Sequence, residues 1–222
     1  MVMILLQLLV WTAIMAALIL WPAGTLAYPG AWAFIALFAL GGFATTFWLS
    51  RHSPSLLRER MASPVQRDQK PWDRVFLALF ILGFCSSLAF MGWDAARTDF
   101  MAVPFWLQAL RGLGMAIYML GAWWTFRENA FAAPVVKIQK GQRVIDTGPY
   151  AVVRHPMYAS GLFFFIGLPL LLGSWLGLTF SALFILAIAW RAVQEERVLR
   201  MELSGYEDYT ARVRYRFLPS VW

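Results

Sequence analysis

The stretch Gly148-Pro-Tyr-Ala-Val-Val-Arg-His-Pro-Met-Tyr158 places a guanidinium, an imidazole and two phenols in a polar, turn-rich segment that runs straight into an apolar one. Gly148-Pro149 sets a tight turn, and Pro156 lacks an amide hydrogen and holds His155 in extended backbone. Arg154, His155 and Tyr158 therefore project from an irregular connection just before a helix begins. The free amides at such a helix start favour a carboxylate or another electron-rich group. The next charged side chain is Arg191, followed by Glu195 and Glu196. Arg191 and Glu195 are i and i+4 on one helical face. If the chain reverses between the two sets, both converge on one space. Tyrosine faces attract cations, a guanidinium can hold a carboxylate bidentately, and a glutamate can accept from a hydroxyl or amino group. Ionisable residues beside a bilayer are functional candidates, so the pattern reads as a cofactor and catalytic site at a membrane surface. Glu196, Arg197, Arg200 and Glu202 read as a solvated face beside it.

The elements that must position these groups are apolar helices. Of 222 residues, 60% are hydrophobic and only 14% charged, against roughly half and a quarter in a soluble domain. The excess lies in blocks near the ~20 residues that a membrane span requires. Residues 2–21, 31–49, 75–93 and 105–126 read as four transmembrane helices, the last interrupted by Arg111 near one end. Residues 158–190 are too long for one ordinary span, and Gly167-Leu-Pro169 and Gly173-Ser174 are expected to break them into two short arms of a helical hairpin. The fold class is thus all-α: a polytopic integral membrane protein with four transmembrane helices plus a carboxyl-terminal helical hairpin, five to six membrane segments in all. No internal repeat or low-complexity segment is present, and residues 1–222 read as a single domain.

Of the 19 Lys and Arg, six lie in residues 51–74, five in 127–154 and six from Arg191 onward. The connections 22–30 and 94–104 carry only Arg97. By the positive-inside rule the rich segments and both termini are cytoplasmic. The net charge of +7 then describes a basic face near anionic headgroups rather than a nucleic-acid surface, since no aromatic-basic module accompanies it. Trp21, Trp32, Trp93, Trp106, Trp123, Trp124 and Trp190 fall near span ends, where amphipathic rings favour the interface. The first span lacks the basic leading region of a signal peptide. Cys85, the only cysteine, sits in mid-span, and His52 and His155 stand over a hundred residues apart without a ligand cluster. Neither arrangement predicts a metal site.

At these residues the chain resembles the isoprenylcysteine carboxyl methyltransferases and their bacterial relatives, and more distantly the phospholipid N-methyltransferases. The resemblance rests on Gly148-Pro-Tyr-x-x-x-Arg-His-Pro-x-Tyr158, Glu195-Glu196, Tyr206-x-x-Tyr209, Arg216-Phe-Leu-Pro219, and the earlier Pro54-x-Leu-Leu-x-x-Arg60 and Lys70-x-Trp-Asp73. It implies a helical enzyme of the bacterial inner (plasma) membrane that binds S-adenosylmethionine from the cytoplasm and takes an amphipathic, lipid-like methyl acceptor from the bilayer. It also implies cofactor contacts from Lys137, from Gln142, Arg143, Val144 and Ile145, from Tyr150, from His155, Pro156, Met157 and Tyr158, and from Glu195. Arg191, with Arg154, is placed on the catalytic, acceptor side. Residues 1–50 form an amino-terminal helical hairpin without family motif, and 127–222 the cofactor-binding and catalytic portion. The chain departs from the pattern at Leu203-Ser204-Gly205, which is shorter than usual, and at Gln142, where many relatives carry His.

The acceptor is expected to be a carboxylate, as in isoprenylcysteine O-methylation, because a carboxylate needs no general base; an amine or thiol would call on His155. The rival readings are a lipid amine N-methyltransferase, an NADPH-dependent membrane reductase of the sterol type, and a non-catalytic transport component. Transport would favour polar groups near mid-bilayer and paired broken helices. Here they collect at one end.

Overall fold

Prolines open several of the helices, because a missing amide hydrogen and a fixed φ suit the first turn. Pro29, Pro54, Pro71 and Pro156 begin α2 (Pro29–His52), α3 (Pro54–Met61), α4 (Pro71–Ala95) and α6 (Pro156–Leu172). The remaining helices are α1 (Val2–Ala23), α5 (Phe105–Glu128), α7 (Gly177–Glu202) and α8 (Tyr206–Arg212), with a 3₁₀ turn over Gly148–Ala151. This computed structural model describes residues 2–66, 68–97 and 105–222, the side chains of residues 2 and 105–111 excepted. The side chains of Trp106 and Arg111 and most of the connection 94–104 fall outside the described residues. Among those described, the fold is all-helical, as the sequence predicts.

Among the described residues, four helices are long and apolar enough to cross a membrane: α1, α2, α4 and α7. Most of their surface points outward, as for helices that are apolar all round and meet lipid. α5 packs most extensively on α6, and α1 on α4. Between them Met15, Ile19, Phe34, Leu88, Met91, Leu168 and Leu172 form the main core. The α1–α4 approach depends on Gly92, where an added Cβ would fall on the Ile19 carbonyl. Gly92→Ala is therefore expected to lower stability by about 1–3 kcal/mol through overpacking. Thermal unfolding in detergent checks this, and an unchanged midpoint would contradict the close contact.

The carboxyl-terminal hairpin differs from expectation. Its arms have 17 and 26 residues, and the second is itself long enough to span. Gly167-Leu-Pro169 does not break α6, and the reversal occurs only after Gly173, whose φ of 76° caps the helix. Pro169 leaves the Phe165 carbonyl without its amide donor, and the Ser181 hydroxyl on α7 donates to that carbonyl instead. Such substitution is how proline is accommodated in membrane helices.

The helices have two distinct ends. At one, Tyr28 donates to the Leu172 carbonyl, Ser174 Oγ donates to Asp94 at 2.6 Å, and Arg97 reaches the Pro22 and Trp93 carbonyls. At the other, the three basic segments meet. Ile4 packs beside Leu49 and Leu56 at this end, and the carboxyl terminus folds onto it through Arg216 and Trp222.

Candidate functional site

The site is assembled by the connection between α5 and α6, the start of α6, the last turns of α7, and α8. Gly148 turns the chain with φ of 56°, and a Cβ there would strike the Glu128 side chain, so this position favours glycine. The turn presents Tyr150, whose hydroxyl accepts from Asn129 Nδ2 at 2.8 Å and whose carbonyl accepts from the Tyr209 hydroxyl at 2.8 Å. Burial pushes the hydroxyls of Tyr150, Tyr206 and Tyr209 above the ordinary phenol range. All three are neutral at physiological pH and offer aromatic faces rather than charge.

His155 stacks on Tyr158, with ring centroids 5.3 Å apart and planes 5° from parallel, and Phe217 closes edge-on against both rings. Tyr158 donates to Glu195 Oε2 at 2.8 Å and accepts from Arg191 Nη1 at 2.7 Å. The expected convergence of Arg191 and Glu195 thus runs through the Tyr158 hydroxyl. Arg191 also donates from Nε to Asp73 at 2.9 Å and from Nη2 to the Pro134 carbonyl at 2.8 Å. Asp73 is fully buried and additionally accepts from Gln69 and from the Val136 amide. Asp73 stands in the Lys70-x-Trp-Asp73 motif, where its neighbours in sequence do not reveal this pairing. Its function is to fix the Arg191 fork.

Glu196 corrects the solvated-face reading. It is only 2% exposed and gathers three cationic or imidazole groups: Arg154 Nε at 2.7 Å, Arg216 Nε at 3.0 Å and His155 Nε2 at 3.2 Å. Arg154 also donates to the Val213 and Arg214 carbonyls. The amides of Arg154 and His155 donate to the Tyr215 and Arg216 carbonyls. The residues expected on the catalytic side thus have distinct surroundings: Arg154 ties the carboxyl-terminal segment down, while Arg191 holds Tyr158.

One cleft, enclosing about 910 Å³ including its open mouth, is lined by Lys137, Gln142, Arg143, Val144, Ile145, Tyr150, Arg154, His155, Pro156, Met157, Tyr158 and Glu195. All the residues expected to contact cofactor line it. Asn129, Val198, Leu199, Tyr206 and Tyr209 line it as well; of these, only the tyrosines stood in a sequence motif. Lys137 is held at the rim by Glu59 at 2.7 Å, and Gln142 accepts from the Gln139 amide.

The fold and cleft define a polytopic helical membrane protein with a polar, aromatic pocket at one end of its helices. Residues 106–204 match the family model of the phospholipid methyltransferases. That segment contains α5, the cleft-forming connection, α6 and α7, so the site-bearing part of the chain carries the pattern of a membrane methyltransferase family. No curated protein is significantly similar to the chain.

Proposed function

We propose that the protein transfers a methyl group from S-adenosylmethionine to an amphipathic, membrane-associated acceptor, with a carboxylate as the receiving group. The observation that carries this reading is the single cleft shared by all eleven expected cofactor residues. The donor set suits the group: Glu195 Oε1 is left for an amino group or hydroxyl when Oε2 takes Tyr158, Tyr150 and Tyr158 offer faces for a cation, and Val144, Ile145 and Leu199 offer apolar cover. When bound, S-adenosylmethionine supplies a methyl group activated by a sulfonium. The chain's own task is positioning, which can supply about 7–11 kcal/mol in favourable cases. Tyr158 is fixed by two charged partners. Arg191 is not among the residues lining the cleft but meets it through Tyr158; it keeps one N–H on each Nη nitrogen beyond its described bonds, which would serve an acceptor carboxylate.

His155 turns Nε2 to Glu196, which favours an acceptor that needs no base. The match to phospholipid methyltransferases favours a second reading, in which the acceptor is a lipid amine. In both, 1–222 acts as one domain, with the basic end and both termini in the cytoplasm and the acceptor arriving through the bilayer. The test is incubation of purified protein with methyl-labelled S-adenosylmethionine and a panel containing S-prenylcysteine and phosphatidylethanolamine. The account predicts labelled product that alkali converts to methanol, the mark of an ester. Alkali-stable label on the amine would select the second reading, and no labelled product from any member of the panel would reject both.

A further inference from the structure

Arg60, on α3, stands apart from the other arginines of the site. Arg154, Arg191 and Arg216 each pair with a carboxylate. Among the described residues Arg60 has no ion pair; the adjacent Glu59 is held by Lys137. Its described hydrogen bond runs from Nη1 to the Ala132 carbonyl at 2.9 Å, and its guanidinium lies over the Phe126 ring at 4.3 Å. These two contacts fix the plane of the fork while leaving most of its five N–H donors uncommitted. None of its nitrogens is both sealed from solvent and without a partner, so the uncommitted donors open onto accessible space.

The surroundings give that space a direction. Ala132, which takes the Arg60 bond, lines the cleft beside Tyr150 and Tyr158. Phe126, under the guanidinium, packs in one apolar cluster with Tyr118, which lies on α5 two helical turns earlier, toward the membrane-embedded part of the helix. Leu56, Leu57 and Ala122 pack with Phe126 in that cluster and extend the apolar wall on which the guanidinium lies. Burial lowers the Arg60 pKa, and the same low-dielectric setting strengthens any anion brought beside it. A half-buried cation without a counter-charge, between an apolar wall and a polar cleft, is incomplete as it stands.

We propose that Arg60 holds an anionic group, carboxylate or phosphate, carried by the acceptor as it passes from bilayer to cleft. This rests on the methyltransferase reading for the word acceptor, but anion binding itself does not. The test uses the full chain in phosphatidylcholine nanodiscs, titrated with dodecyl phosphate, dodecanoate, dodecanol and inorganic phosphate, with S-adenosylhomocysteine affinity measured separately. Wild type is expected to prefer the anionic amphiphiles over dodecanol by about tenfold, equivalent to ~1.4 kcal/mol. Arg60→Gln is expected to abolish that preference while keeping S-adenosylhomocysteine affinity, and Arg60→Lys to retain part of it, since a point charge lacks the fork. A merely structural role would lower thermal stability without changing the anion-to-alcohol ratio. A ratio that survives in Arg60→Gln, or that is absent from wild type, would overturn the proposal. Inorganic phosphate binding as tightly as dodecyl phosphate would assign the site to a free anion and overturn the acceptor role. Loss of S-adenosylhomocysteine binding by wild type with the ratio intact would instead defeat the methyltransferase reading and leave the anion site standing.

Discussion

Glu196→Leu should destabilise the protein by about 3–5 kcal/mol, the usual cost of removing one partner from a buried ion pair. The carboxylate is the shared counter-charge of Arg154 and Arg216 and the partner of His155. Without it, Arg154 retains only the Val213 and Arg214 carbonyls and remains a buried cation. The carboxyl-terminal segment then loses its anchor, and Phe217 loses its hold against His155 and Tyr158. Thermal unfolding in detergent, with chymotryptic susceptibility of residues 213–222, measures both effects. Glu195→Leu is the control: Glu195 is only partly buried and accepts one described bond, so its loss should lower the midpoint far less. Equal midpoints for the two variants would show that the Glu196 cluster does not hold the fold together.

Arg191→Lys should cut methyl transfer by about a hundredfold, the order expected when a group that orients reactants is misplaced, while cofactor binding changes little. The guanidinium meets Asp73, the Tyr158 hydroxyl and the Pro134 carbonyl from three different nitrogens. A single ammonium cannot reproduce that planar fork. Charge is retained, so Asp73 keeps a counter-ion and the fold should survive. The Tyr158 link makes this a sharp test, because Tyr158 also donates to Glu195. If affinity for S-adenosylhomocysteine falls in step with turnover, Arg191 acts through Tyr158 on the cofactor pocket rather than on the acceptor.

Local patterns made much of this legible. The turn at Gly148-Pro149, the helix start at Pro156 and the i, i+4 placement of Arg191 and Glu195 all follow from neighbours in sequence, and the structure has them so. Glu196 was hidden for a geometric reason. It stands in a run with Arg197 and Arg200, both exposed, yet one residue is 100° of helical rotation, enough to turn it inward to Arg154. Asp73 and Arg60 were hidden by distance along the chain. Arg191 finds Asp73 across 118 residues, and Arg60 finds Ala132 across 72, so neither pairing has a periodicity to read. The break expected at Gly167-Leu-Pro169 failed because its remedy, Ser181, lies on the opposite arm of the hairpin.

The central claim is that the cleft is a site for S-adenosylmethionine, and calorimetric titration of S-adenosylhomocysteine into purified protein tests it most directly. Wild type should bind at one site, with no competition from NADPH. Glu195→Gln, which preserves shape but removes the charge, should weaken binding by about 1.5–3 kcal/mol, as for a lost hydrogen bond to a charged group. Absence of binding to wild type, displacement by NADPH, or unchanged affinity in a well-folded Glu195→Gln protein would contradict the account.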